Sequence, residues 1–135
     1  MRRNFANRSG NKSSKKNESA HTRDLRIALA RTWPGSFWWK EVGGEFGMNG
    51  LPDLFGCVDG FLYGFEIKLD GNWFSAIQIK RLRQLHAAGA CAGGVILTKD
   101  GWMWVAIEHL GHAGDRRRSK WIPFVLADLK LYRSE

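Results

Sequence analysis

Two acids and a lysine stand out in this chain: Asp53, at the end of Gly50-Leu51-Pro52-Asp53, and Glu66 and Lys68 in Glu66-Ile67-Lys68. Two carboxylates brought together repel unless something positive lies between them. A divalent cation with oxygen ligands relieves that repulsion. Mg²⁺ takes one or two carboxylates and keeps waters and phosphate oxygens as its other ligands. A lysine beside such an ion orients or deprotonates a water, or neutralises charge growing on a phosphate oxygen. The chemistry implied is hydrolysis of a phosphodiester.

The intervening segment must bring these groups together. It reads as a strand, a turn at Asp59-Gly60, and a second strand. Asp-Gly between apolar runs is a strong hairpin signal, because Gly tolerates positive φ. Such a hairpin puts Asp53 and Glu66 at neighbouring positions on paired strands. Period two then places Glu66 and Lys68 on one face and Ile67 on the other. The bland alternative is a turn-initiating Pro52-Asp53 and a solvated strand face with a cross-strand pair. Phe61, Leu62, Tyr63 and Phe65 argue against it, since charges in so apolar a strand are uncommon unless paired or metal-bound.

Pro-Asp, a hairpin-length spacer and Glu-x-Lys resemble the PD-(D/E)xK nuclease signature. More narrowly, Lys40 to Val95 is similar to the VRR-nuclease branch, especially its small stand-alone phage and bacterial members. The pieces carrying that likeness are Gly50-Leu51-Pro52-Asp53-Leu54, Gly56, Gly60, Glu66-Ile67-Lys68, Ser75, Gln78 and Ala88-Gly89-Ala90. The resemblance implies an α/β fold, a mixed central β-sheet flanked by helices with a restriction-endonuclease-like core. It implies Asp53 and Glu66 as metal ligands completed by the Ile67 carbonyl, Lys68 as the residue that positions or activates water, and Gln78 as a support for the site. Mg²⁺ (or Mn²⁺) is the implied cofactor. Glu18 is a further candidate ligand, weighed against a plain helix-start acid. Glu41 and Glu45 are weaker rivals.

Around the motif, apolar spacing predicts a helix over about 19–33, stopped by Pro34-Gly35, and a strand over 36–42. The Gly-rich stretch 43–50 lacks a nucleotide P-loop pattern, and its glycines are read as allowing close approach to a ligand phosphate. Ser75 is the predicted N-cap of a helix running to about Ala88 and ended by Gly89. Strands are expected over 92–98 and 102–107, separated by Asp100-Gly101. Pro123 reads as a breaker and Phe124–Tyr132 as a short closing helix. That order suits a mixed sheet flanked by helices. The expected organisation is a disordered basic tail over 1–17, a nuclease domain over 18–110 and a basic extension over 111–135.

One domain's worth of chain, 135 residues, carries a formal net charge of +8. Such an excess favours nucleic acid or acidic membrane partners. No apolar run is long enough to cross a bilayer, and no apolar segment follows the basic start, so a cytoplasmic, non-secreted location is expected. Cys57 and Cys91 are read as reduced and mostly buried thiols. His109 and His112 lack a matching ligand cluster for zinc. Lys40, Lys80, Arg81 and Arg83 are the candidate phosphate contacts, together with the basic tail and Arg116 to Arg118.

The reading is a metal-dependent endodeoxyribonuclease, structure-specific in the manner of Holliday-junction resolvases. Branched DNA is the favoured partner, with RNA left open and no membrane. A homodimer is expected, because symmetric cutting of a junction needs two active sites. The alternatives are a sequence-specific restriction or homing-type endonuclease and a non-catalytic basic nucleic-acid-binding module.

Overall fold

The computed structural model describes residues 18–41, 47–111 and 118–133. The basic tail, Val42–Phe46 with Glu45 and part of the Gly-rich stretch, and His112 with Arg116 and Arg117 lie outside the described residues. A first helix, α1, is described over 18–32. It is followed by strands β1 (Phe37–Lys40), β2 (Leu54–Val58) and β3 (Phe61–Leu69), helix α2 (Ala76–Ala87), and strands β4 (Cys91–Thr98), β5 (Gly101–Val105) and β6 (Ile122–Pro123). The six strands form one sheet in the order β1-β2-β3-β4-β5-β6. Only the β3–β4 pair is parallel; the other four pairs are antiparallel. A parallel pair needs a crossover, and α2 supplies it.

Side-chain alternation along β3 sorts the core into two layers. Tyr63, Phe65 and Ile67 join Leu25 and Leu29 of α1, Trp38, Leu54, Val95 and Trp104 on one face. Ile79 and Leu82 of α2 pack with Phe74, Ala92, Ile96, Val105 and Leu110 on the other. Leu25 and Leu29, one helical turn apart, hold α1 to the sheet. Full burial of such a side chain contributes about 1.5–3 kcal/mol.

Glycines let large rings lie flat on the sheet. A Cβ added at Gly56 would overlap the ring of Trp38, and one at Gly94 would overlap Phe74. Trp38 stacks on Phe65 at 6.0 Å, so it has little room to retreat. Gly56→Ala is therefore expected to lower stability by about 1–3 kcal/mol. Thermal unfolding followed by circular dichroism checks this, and an unchanged midpoint would show that the indole can relax.

The end of the chain departs from the expectation. Instead of a helix over Phe124–Tyr132, a 3₁₀ turn covers only Leu129–Tyr132. Pro123, read as a breaker, lies in β6, opposite Met103. Proline is tolerated there because β6 is an edge strand. Phe124, Leu129 and Tyr132 belong to the same core as α1 and β3. The Tyr132 hydroxyl donates to the Pro123 carbonyl at 2.9 Å and accepts from the Val125 amide, and these bonds take the place of helical ones.

Candidate active site

The hairpin delivers the acids. Asp59 and Gly60 have φ of 51° and 82°, the left-handed pair of a tight type I′-like turn. In the resulting register Leu54 faces Phe65. The next step along each strand sets Asp53 across from Glu66, on the α2 face of the sheet. The Asp53 Oδ2 accepts a hydrogen bond from the Ile67 amide at 3.2 Å, which ties the first acid to the strand of the second. From the other side, the Glu41 amide donates to the Asp53 carbonyl at 2.7 Å.

Glu66 is 1% exposed. Its Oε1 is buried and has no hydrogen-bond partner. Burial, first of all, holds its carboxyl well above the usual range; the hydrogen bond with Asp53 and the charge of Asp53 act in the same direction. Lys68, half-buried and on the same face by period two, pulls the other way, and the charge of Glu18 opposes ionisation again. Without a cation, these effects favour the protonated form of Glu66.

Glu18 thus comes near the pair. Its Oε2 accepts from the Leu69 amide at 3.5 Å and from Asn72 Nδ2 at 3.3 Å. The sequence offered Glu18 as a secondary candidate and was silent on Asn72, whose partner lies 54 positions away. No group of three His, Cys, Asp or Glu side chains among the described residues forms a ready-made metal cage. The donor set fits a hard divalent ion nevertheless. It offers two apposed carboxylates, one with an unused buried oxygen, and such an ion fills its remaining positions with water and substrate oxygens.

Other predicted site residues have structural partners. Ser75 and Gln78 form a capping box: Ser75 Oγ accepts from the Gln78 amide at 3.3 Å, and Gln78 Oε1 accepts from the Ser75 amide at 2.9 Å. That box is sufficient reason for a glutamine here. Any contact from Gln78 to phosphate or water would run through its amide nitrogen. Arg81 donates to the Asn49 carbonyl at 3.0 Å and to Gln84, so it clamps the loop before the motif. Arg83 donates to the Gly111 carbonyl at 3.1 Å. Arg83 and exposed Lys80 line an open cleft of about 440 Å³ beside α2. Lys40 donates to Ser19 Oγ at 2.6 Å, against α1. Gly50, at φ 80°, does make a close approach, but to Ile77 of α2.

Both cysteines are free; Cys57 is exposed, against expectation, and Cys91 buried, where burial pushes its thiol up to about 12. No helix among the described residues is long and apolar enough to cross a membrane.

No family model matches the sequence, and no curated protein matches it either. Among solved structures, the fold is similar to that of Hjc from the archaeon Archaeoglobus fulgidus, a Holliday junction resolvase of a hyperthermophile. The TM-score is 0.58 at 18% identity, over 82% of this chain and 92% of that one. The chain therefore has a resolvase-like, restriction-endonuclease-like α/β fold, as the sequence predicts.

Proposed function

We propose that this chain is a divalent-metal-dependent nuclease that hydrolyses DNA phosphodiester bonds. The observation that carries the reading is Glu66, a fully buried carboxyl with one unpartnered oxygen, pressed against Asp53 with Lys68 alongside. A merely structural strand has no use for such a pair, because burying an uncompensated charge is costly. Asp53, Glu66 and the Ile67 carbonyl are the groups that would hold Mg²⁺ or Mn²⁺. When bound, the ion supplies positive charge to the phosphate and acidifies water. Lys68 orients the attacking water or offsets negative charge on a phosphate oxygen. Glu18 sets the outer wall of the site, and Gln78 supports it from the head of α2.

The likeness to a junction resolvase supports branched DNA as the substrate and a homodimer as the working form. A chain with one site makes one cut, and paired cuts call for a two-fold assembly. The Pro-Asp, Glu-x-Lys, Ser and Gln pattern supports placement near the VRR branch. The test uses labelled four-way, flap and linear DNA with Mg²⁺, Mn²⁺ or EDTA, with gel filtration of the same protein. Metal-dependent cutting that prefers the four-way substrate, from a dimer, is expected. Binding with no cutting under either ion would replace the enzyme with a binding module. A strict monomer that nicks or cuts flaps would remove junction resolution.

A further inference from the structure

A second basic feature lies at the same end of the sheet as the acids. Lys40 closes β1 there and faces Leu54, the neighbour of Asp53, in the strand register. Across from it, α1 presents Ser19, Ala20, Arg23 and Arg26, and together these residues line an open cleft of about 360 Å³. Ser19, Arg23 and Arg26 recur at helical spacing, so they share one face of α1. Among the described residues, no acid forms an ion pair with Arg23, Arg26 or Lys40. Asp24 is adjacent in sequence to Arg23, but successive helical residues do not face each other. Ala20 lines the cleft with a small side chain, and Ser19 Oγ already engages the Lys40 ammonium.

The cleft lies on the α1 face, opposite the face that carries the acids, and its two walls end beside the acidic site where that end of the sheet is reached. Glu18, next to Ser19, bonds the amide that ends β3, and Glu41, next to Lys40, bonds the Asp53 carbonyl. We propose that the α1–β1 cleft is a subsite for the sugar-phosphate backbone, in which Arg23, Arg26 and Lys40 hold the DNA phosphates neighbouring the one presented to Asp53 and Glu66. Three cations with no acidic partner among the described residues match the charge of a polyanion, and arginine forks suit phosphate oxygens. The contacts are to backbone, so they fix the position of the strand without reading its sequence. The inference rests on the nuclease reading for its orientation, but the binding it predicts is measured apart from cutting.

The experiment measures DNA affinity of the full chain by fluorescence anisotropy, in EDTA, across a salt series. It compares wild type with Arg26→Gln, Arg23→Gln/Arg26→Gln, Lys40→Gln and Lys40→Arg. Arg31→Gln serves as the control, since Arg31 is exposed on α1 but does not line the cleft. Each neutralised cation is expected to reduce the slope of log affinity against log salt by about 1, and the double variant by about 2. Lys40→Arg should keep the wild-type slope. Thermal midpoints verify that each variant is folded. The proposal is overturned by cleft variants that keep the wild-type slope, or by Arg31→Gln losing as much as Arg26→Gln. Absence of metal-dependent cutting by wild type would remove the nuclease reading alone and leave the cleft result intact.

Discussion

Lys68→Ala is expected to reduce DNA cleavage by about 10²–10³-fold, the usual effect of removing one group that stabilises developing charge. Its DNA affinity in EDTA should change far less, because one phosphate contact among several is lost. Thermal stabilisation by Mg²⁺ or Mn²⁺ should persist, since the oxygen donors remain. Asp53→Ala is expected to behave differently. It removes one of two apposed carboxylates, so cleavage and ion-dependent stabilisation should both disappear. Lys68→Arg adds a further distinction. Arginine keeps the charge but does not release a proton near neutral pH. Substantial rescue assigns Lys68 to charge neutralisation, and no rescue assigns it to water activation. Single-turnover kinetics with saturating enzyme reads the chemical step directly. Equal cleavage by wild type and Lys68→Ala would remove Lys68 from the site.

The hairpin was legible because its cause is local. Asp59-Gly60 accepts positive φ, and that turn sets the register that puts Asp53 opposite Glu66. The α2 start was legible for the same reason, since Ser75 and Gln78 satisfy each other's amides within one turn. The partners of other residues depend on distant segments. Glu18 bonds Leu69 and Asn72, more than 50 positions away, and no periodicity carries that information. Arg81 and Arg83 read as candidate phosphate contacts, yet they donate to carbonyls of loops whose paths only the fold determines. Strand β6, two residues with a proline, is too short to show an alternating pattern. The cleft of Arg23, Arg26 and Lys40 needed α1 and β1 laid side by side before its charges could be seen as one group.

The acidic pair should also write itself into stability. In the metal-free fold Glu66 keeps its proton to a pH well above its ordinary value near 4.5, chiefly because it is buried, then because of Asp53. The folded state therefore binds more protons than the unfolded state over that interval. Stability contributed by the protonated carboxyl is fully present below the unfolded value and is lost as pH rises through the folded one. In EDTA, the thermal midpoint of wild type should accordingly fall as pH rises above that ordinary value. A divalent ion that binds only the folded chain should restore it, by about 2.7 kcal/mol at a concentration one hundred times its dissociation constant. Glu66→Gln removes the titrating group and lets an amide donate toward Asp53. It should eliminate the decline assigned to Glu66 and the response to Mg²⁺ or Mn²⁺. At pH 8 in EDTA it should be more stable than wild type by roughly 1–3 kcal/mol, the range expected when a buried unsatisfied polar group is relieved. The same variant should be unable to cut DNA, so stability and activity move in opposite directions at one residue. A wild-type midpoint indifferent to both pH and divalent ions, or a Glu66→Gln chain less stable than wild type in EDTA at pH 8, would mean that the carboxyl is held for its packing and not for a cation.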